Sequence, residues 1–348
     1  MPTQSGITIS APNAPYTVVN DIEQPTPGPK QALVKTLYVG LNPVEPFMQH
    51  SGILITSWPA VIGSDVSGVV VSTGPDCKKL KKGDYIYGCV PVGLNEFSPF
   101  QETFLVGEDW MFKKGENVSL EAGCTIGAAV LTAALALMDG QDLALPAPGE
   151  KAEQKNEWVV VMGGSGSVGQ YVVQLASLCG YKVLASCSPS KSELTLEAGA
   201  SATFSHHATV DEQLAEIEKI TEGRFGRVVD ASAQAVEVPI KALVAASKVE
   251  AKYFATVDDW SEINAPDSIK LYRIKFAKLG RDDELGKHVA NKFAEWIPVL
   301  EGHLQSGALR PLDYHLVEGE GWEKVIEGIA DMEAGKLARK PVVKIQQE

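Results

Sequence analysis

One stretch near the middle of the chain, Gly163-Gly164-Ser165-Gly166-Ser167-Val168-Gly169, has the residue types and spacing best suited to chemistry. It contains Gly164-x-Gly166-x-x-Gly169. In that pattern the first glycine permits a tight turn, the second lets backbone approach a pyrophosphate, and the third lets a helix pack close to a strand. A helix starting there offers unpaired N–H groups to phosphate. Gly163, Gly164, Ser165, Gly166, Ser167 and Val168 are therefore expected to surround the pyrophosphate of a dinucleotide. The plain alternative is a structural strand-to-helix turn.

The elements needed to hold such a loop are present in order. Trp158-Val159-Val160-Val161-Met162 is short, apolar and β-branched, as a strand buried on both faces should be. After the loop, Val172, Val173, Leu175, Ala176 and Leu178 recur with helical periodicity, Gly180 closes the helix, and Lys182–Ala185 reads as the next strand. The end of that second strand reports on the cofactor. An acidic residue there bonds the ribose 2′-OH of NAD. Here the segment is Ser186-Cys187-Ser188-Pro189-Ser190-Lys191, with no carboxylate before Glu193. Its hydroxyls and lysine suit a 2′-phosphate, so NADPH is the expected cofactor, with Ser186, Ser188 and Lys191 as its contacts.

Bulk properties narrow the class further. A chain of 348 residues has room for two domains, and 45% hydrophobic with 22% charged residues is a globular composition. The net charge of −13 argues against nucleic acid as partner. Apolar stretches stop short of membrane-spanning length, and MPTQSGITIS has no basic segment followed by an apolar one, so neither membrane nor secretory signal is expected. The five cysteines form no C-x-x-C pair, which points to reduced thiols in a cytoplasmic protein. The histidines make no metal-binding pattern, and His206-His207 reads as a surface loop.

Before the cofactor unit, short strand-like runs predict a β-rich, barrel-like domain: Gln31–Leu41, Gly68–Ser72 and Asp84–Val90. Ala128–Met138 predicts an apolar helix and Leu145–Asn156 an exposed loop. After Trp158, strand-like Ala202–Phe204, Arg227–Ala231 and Tyr253–Val257 alternate with helical Thr209–Thr221 and Val236–Ala246, the pattern of a doubly wound parallel sheet. Ile269–Leu279 is expected to be its last strand, with Lys270, Arg273, Lys275 and Lys278 charging the edge. Helices over Asp283–Gln305 and Trp322–Gly335 and a closing strand over Pro341–Ile345 complete the chain.

Several motifs in order resemble the medium-chain dehydrogenase/reductase superfamily. They are Gly40-Leu41-Asn42-Pro43-Val44-Glu45, Gly63-Ser64-Asp65-Val66-Ser67-Gly68, Lys82-Gly83-Asp84-Tyr85-Ile86-Tyr87-Gly88, Val130-Leu131-Thr132-Ala133-Ala134, and the tail Leu304–Leu309 with Gly335–Val343. The resemblance spans nearly the whole chain. It implies an α/β fold: a GroES-like β-rich catalytic domain from residues 1–127 and 281–348, and a Rossmann doubly wound parallel-sheet domain from 128–280 that binds NADPH. Zinc members carry Cys in the first motif and His-Glu in the second. Asn42, Pro43 and Val44 and then Ser64-Asp65 stand there instead, so no metal is expected. Zinc-free members reduce activated double bonds. Among them the chain is similar to fungal trans-acting enoyl reductases and ToxD-like reductases, on Cys187-Ser188-Pro189 and the loop Leu145–Asn156.

That resemblance implies NADPH-dependent reduction of an α,β-unsaturated carbonyl or thioester, with hydride delivered to the β-carbon. The substrate would be a small or carrier-bound acyl group, a polyketide synthase would be the partner in trans, and the protein would be a monomer or homodimer. Thr132 would hold the nicotinamide carboxamide, or else bond back within its helix. Asn42 would line the nicotinamide pocket, or else serve only the turn before Pro43. Tyr171 stands where relatives reach the cofactor, or packs in the core. Asp65, if buried, needs partners and would orient the domain junction. Relatives place Tyr or Lys where Phe47 stands. Phe47 cannot donate a proton, so the proton donor is left open and Phe47 would line an acyl pocket. Two rivals remain: an NADPH quinone oxidoreductase, and an NADPH-binding partner protein whose catalysis has lapsed.

Overall fold

The structure, a computed structural model, describes residues 2–346. Its contacts divide the chain into two units, Met1–Ala128 with Ala277–Glu348, and Ala129–Phe276.

The N-terminal stretch supplies strands β1 (Thr3–Ile9), β2 (Thr17–Glu23), β3 (Gln31–Gly40), β4 (Ala60–Val61), β5 (Asp65–Thr73), β6 (Tyr85–Cys89), β7 (Thr103–Gly107) and β8 (Met111–Lys113). Helices α1 (Val44–Ser51), α2 (Leu120–Gly123) and α3 (Gly127–Ala134) lie between and after them, α3 running into a wide π-type turn over Leu135–Asp139. β3 is the longest of these strands and the hub of its sheet. It pairs antiparallel with both β5 and β7. Its apolar residues Ala32, Val34, Leu37 and Val39 are sealed from solvent. Ala32, Val34 and Val39 join Ile7, Ile62, Val66, Ile86, Phe100, Phe104 and others in one core, while Leu37 packs with Tyr38, Leu120, Cys124 and Val342. Burying each such side chain stabilises the fold by roughly 1.5–3 kcal/mol before entropy is counted.

The second unit holds β9 (Trp158–Met162), α4 (Ser167–Leu178), β10 (Lys182–Cys187), α5 (Ser192–Glu197), β11 (Ala202–Ser205), α6 (Val210–Thr221), β12 (Phe225–Asp230), α7 (Glu237–Ala245), β13 (Lys252–Thr256) and β14 (Ile269–Arg273). The six strands are parallel, in the order β11-β10-β9-β12-β13-β14. That is the doubly wound order, and it reverses at β9, where dinucleotides bind beyond the strand ends. Val159, Val160 and Val161 are fully buried, which the unbroken apolar run of β9 required.

The chain then returns through α8 (Glu284–Ser306), β15 (Tyr314–Glu320), α9 (Trp322–Glu333) and β16 (Lys340–Lys344). β16 pairs antiparallel with β3, so the last strand finishes the sheet the third began. This is the expected α/β architecture, a GroES-like domain and a Rossmann-like parallel sheet. Asp283 caps α8, its carboxylate accepting from Gly286 N–H. Among the described residues no helix is long and apolar enough to cross a membrane.

One sequence expectation needs correction. The last strand stops at Arg273 rather than Leu279. Its partner β13 ends at Thr256, and after Ile274 N–H bonds Thr256 O no ladder remains to pair with. Phe276–Lys278 tightens into a single turn instead. Lys275 is then tied to Asp259 at 3.0 Å and Lys278 to Asp283 at 2.7 Å, so only Lys270 and Arg273 lie on the strand.

Candidate functional site

In the second unit the glycines that follow β9 differ in what they can tolerate. Gly163 has φ +76, a conformation that side chains other than glycine adopt only with strain. A Cβ on Gly169 would lie 2.1 Å from Gly163 O and 2.8 Å from Gly164 Cα, so only glycine lets α4 approach the loop. Gly164 is nearly as tight, its Cβ meeting Ala185 Cβ at 2.6 Å. Gly166 is different. A Cβ there would touch only Gly163 O, at 3.5 Å, so the protein itself has room for it. Gly166 therefore bares backbone outward at the start of α4, a helix with no capping side chain. A bare backbone at an uncapped helix start suits an anion, and this cradle fits the pyrophosphate of a dinucleotide.

Ser165, Ser167 and Val168 are half-buried around this cradle. Ser186 is turned the other way. It is 1% exposed, its hydroxyl accepts from Gly163 N–H at 2.9 Å, and its carbonyl accepts from Gly164 N–H at 2.8 Å. It fixes the loop from beneath rather than reaching outward. Tyr171 is fully buried with Val172 and Leu175 inside α4, which makes it a packing residue. Ser188 and Lys191 are half-buried just past β10. Thr132 lies in α3, 8% exposed.

One group here escaped the sequence reading. Asp230 ends β12, fully buried. Its carboxylate accepts from Ser232 N–H (2.9 Å), Ser232 Oγ (2.6 Å) and Thr256 Oγ1 (2.9 Å), while burial pushes its carboxyl upward. Ser232 backs Gly163, so this network supports the loop from the β12 side. The Asp230-Ala231-Ser232 spacing was its one signal. His206-His207, exposed as the surface-loop reading expected, stand beside Ser188 and are treated below.

In the first unit a buried polar network surrounds Asn42. Its Nδ2 donates to Ser64 Oγ and Asp65 Oδ2, both at 2.9 Å, and its Oδ1 accepts from Lys340 Nζ at 2.5 Å. Both amide hydrogens are thus spent inside the protein. Asn42 is half-buried, so what it can offer outward is surface rather than a hydrogen-bond donor. Lys340 Nζ also donates to Asp65 Oδ2 at 2.6 Å, and Asp65 Oδ1 accepts from Ala128 N–H at 2.7 Å. Glu45, fully buried, accepts from Ser64 Oγ at 2.5 Å and from Asn42 N–H at 2.6 Å. Burial pushes the Glu45 carboxyl up to about 7, against the pull of Ser64, Lys340 and the Asn42 N–H; Asp65 adds to the rise. Phe47 lies on the outer face of α1, 43% exposed.

These donors suit zinc poorly. Asn42, Ser64 and Asp65 supply no thiolate or imidazole, and a lysine ammonium already neutralises Asp65. The nearby thiols are held neutral: burial raises Cys89 well above its ordinary value and Cys124 to about 12. Among the described residues no three His, Cys, Asp or Glu side chains converge as a metal would require.

Comparisons with known proteins agree with this geometry. Residues 28–116 match the alcohol dehydrogenase GroES-like domain. A trans-enoyl reductase of Fusarium sp. is 30% identical over 331 residues, covering 89% of this chain and 90% of that protein. A dehydrogenase of Emericella nidulans is 28% identical over 345 residues, covering 94% and 95%. A mycobacterial protein solved as a complex with NADPH shares the fold with a TM-score of 0.75 at 19% identity, over 98% of this chain and 99% of that one. The chain belongs to the medium-chain dehydrogenase/reductase superfamily and is an oxidoreductase of that class. Within it, its relatives include fungal trans-enoyl reductases.

Proposed function

We propose that the protein is an NADPH-dependent, zinc-free enoyl reductase acting on an α,β-unsaturated acyl thioester, carried to it by a polyketide synthase in trans. The observation that carries this reading is the near full-length relation to the Fusarium trans-enoyl reductase. Three features of the site support it. The glycine cradle suits a dinucleotide. The end of β10 holds Ser188 and Lys191 where a carboxylate would repel a 2′-phosphate. The Asn42 network carries a lysine where a metal site would need a soft donor.

When bound, NADPH supplies a hydride for the β-carbon, and a proton taken up at the α-carbon completes the reduction. The chain's own residues bind and orient. Gly163, Gly164, Ser165, Gly166, Ser167 and Val168 hold the pyrophosphate, Ser186 and Asp230 keep that loop in place, and Ser188 and Lys191 hold the 2′-phosphate. Thr132 holds the nicotinamide carboxamide. Asn42, fixed by Lys340, Ser64 and Asp65, presents a rigid wall, and rigidity is what positioning requires. Phe47 offers apolar surface to an acyl chain.

The test follows NADPH consumption with a crotonyl thioester of pantetheine and, separately, with a simple benzoquinone. Turnover of the thioester with a saturated acyl product is expected. Turnover of quinone alone would make the protein a quinone reductase. NADPH binding without turnover of either would make it a partner protein that has lost catalysis.

A further inference from the structure

β10 and β11 run parallel in register, with Cys187 opposite Ser205. Their next residues therefore leave the sheet side by side, at the strand ends where a dinucleotide's adenosine ribose is held. Ser188 Oγ lies 3.3 Å from His207 Nε2 and 3.5 Å from His206 Nε2. The two imidazoles meet edge to face, 4.1 Å between centroids. Their backbone is pinned: His206 N–H donates to Cys187 O (3.3 Å), His207 N–H to Ser205 Oγ (3.2 Å), and Gln213 Nε2 to His206 O (3.4 Å). The rings themselves are exposed. A fixed backbone carrying two exposed imidazoles, a hydroxyl between them and Lys191 on the adjacent turn is an arrangement of anion-binding groups.

We propose that His206 and His207, with Ser188 and Lys191, form a pH-dependent site for the 2′-phosphate, so that preference for the phosphorylated dinucleotide strengthens as the imidazoles gain protons. The proposal rests on the NADPH reading above and adds its regulation.

Without a ligand His206 resists protonation. His206 is held below the usual imidazole range, first by burial and then by His207. An added phosphate dianion reverses the balance, because each imidazolium then has a counter-charge and a charge-assisted hydrogen bond. By linkage, a ligand that favours the protonated form binds more tightly as pH falls toward about 6.5. The other charged groups on the elements packed here are Glu193 and Glu197 on α5, Asp211, Glu212, Glu216, Glu218 and Lys219 on α6, and Lys182 at the start of β10. Glu212 is occupied by Thr209, whose N–H it accepts at 2.9 Å. Lys191 adds a further cation on the adjacent turn.

The experiment is calorimetric binding of adenosine 2′,5′-bisphosphate and of 5′-AMP to the full chain, between pH 6.5 and 8.5. That range stays above the second phosphate ionisation near 6. The bisphosphate should bind roughly tenfold more tightly at the acid end, the worth of one charge-assisted bond, while AMP changes by about twofold or less. The double variant His206→Gln/His207→Gln should lose that slope and keep its preference for the bisphosphate at pH 8.5. An unchanged slope in the variant would overturn the proposal and leave the NADPH reading intact. Equal affinity for the two nucleotides at every pH would overturn both.

Discussion

The Lys340 ammonium lies 2.6 Å from the Asp65 carboxylate, with the two side chains 2% and 0% exposed. They are 275 residues apart in sequence, on the strand that closes the sheet and on a strand near its centre. Such a pair contributes little over an apolar pair, yet removing one member strands a buried charge at about 3–5 kcal/mol. Lys340→Met should therefore lower unfolding free energy by about that much in urea titration. Adding Asp65→Asn should recover part of the loss, because the remaining amide carries no charge. A single-variant loss under about 1 kcal/mol would mean that the pair is open to water.

Glu45 gives the same network a pH signature. Its carboxyl is raised by burial from 4.5 to about 7. A raised carboxyl means that the native state holds a proton the unfolded chain has lost. Stability from this group is then complete below pH 4.5, falls between 4.5 and 7, and is flat above. The full drop is on the order of 3 kcal/mol. Glu45→Gln removes the titration, so the difference between wild-type and variant stabilities should slope across that window and level off beyond it. A flat difference from pH 4.5 to 7 would show that Glu45 is ionised throughout.

How far the sequence could be read depended on range. The parallel sheet was legible because strand and helix signals alternate locally, and the glycine loop because its spacing is contained in one turn. Facing was harder. Ser186 and Ser188 look equivalent as a string, but β10 ends at Cys187, so Ser186 is held on the strand beneath the loop while Ser188 has already left the sheet. Tyr171 shares a helical face with Val172 and Leu175, and that periodicity outranked its family position. Lys340, Ser64 and Asn42 meet only because β16 pairs β3 and β3 pairs β5, and no local spacing encodes such a meeting. His206 and His207 could have been placed beside Ser188 only with the β10–β11 register in hand.

The glycines separate folding from binding. Gly169→Ala puts a methyl 2.1 Å from a backbone oxygen that cannot move without the loop. It should cost about 1–3 kcal/mol of stability despite alanine's better helix propensity, and weaken NADPH binding at the same time. Gly166→Ala has space within the protein, so its melting temperature should stay close to wild type. Its methyl would nonetheless cover the backbone proposed to hold pyrophosphate, and NADPH affinity measured by nicotinamide fluorescence should fall by roughly tenfold or more, the loss of about one charge-assisted bond. If Gly166→Ala binds NADPH as wild type does, the pyrophosphate is held elsewhere.

Lys191 tests the choice of cofactor most directly. It follows Ser188 in a single turn, with its backbone N–H donating to Ser188 O at 2.9 Å and its own carbonyl accepting from Thr195 Oγ1 at 2.8 Å. The backbone is therefore set by bonds that the side chain does not make, and Lys191→Ala should leave the fold and the glycine loop unchanged. What it removes is a cation with no effect on a 2′-hydroxyl and a large one on a 2′-phosphate. The Kd for NADPH should rise roughly tenfold, the worth of a charge-assisted hydrogen bond, while that for NADH stays within about twofold. Added salt should narrow the gap for wild type and barely alter the variant, because screening weakens the same charge that the substitution deletes. Equal losses for the two cofactors would place the 2′-phosphate away from the end of β10 and remove this support for the NADPH reading.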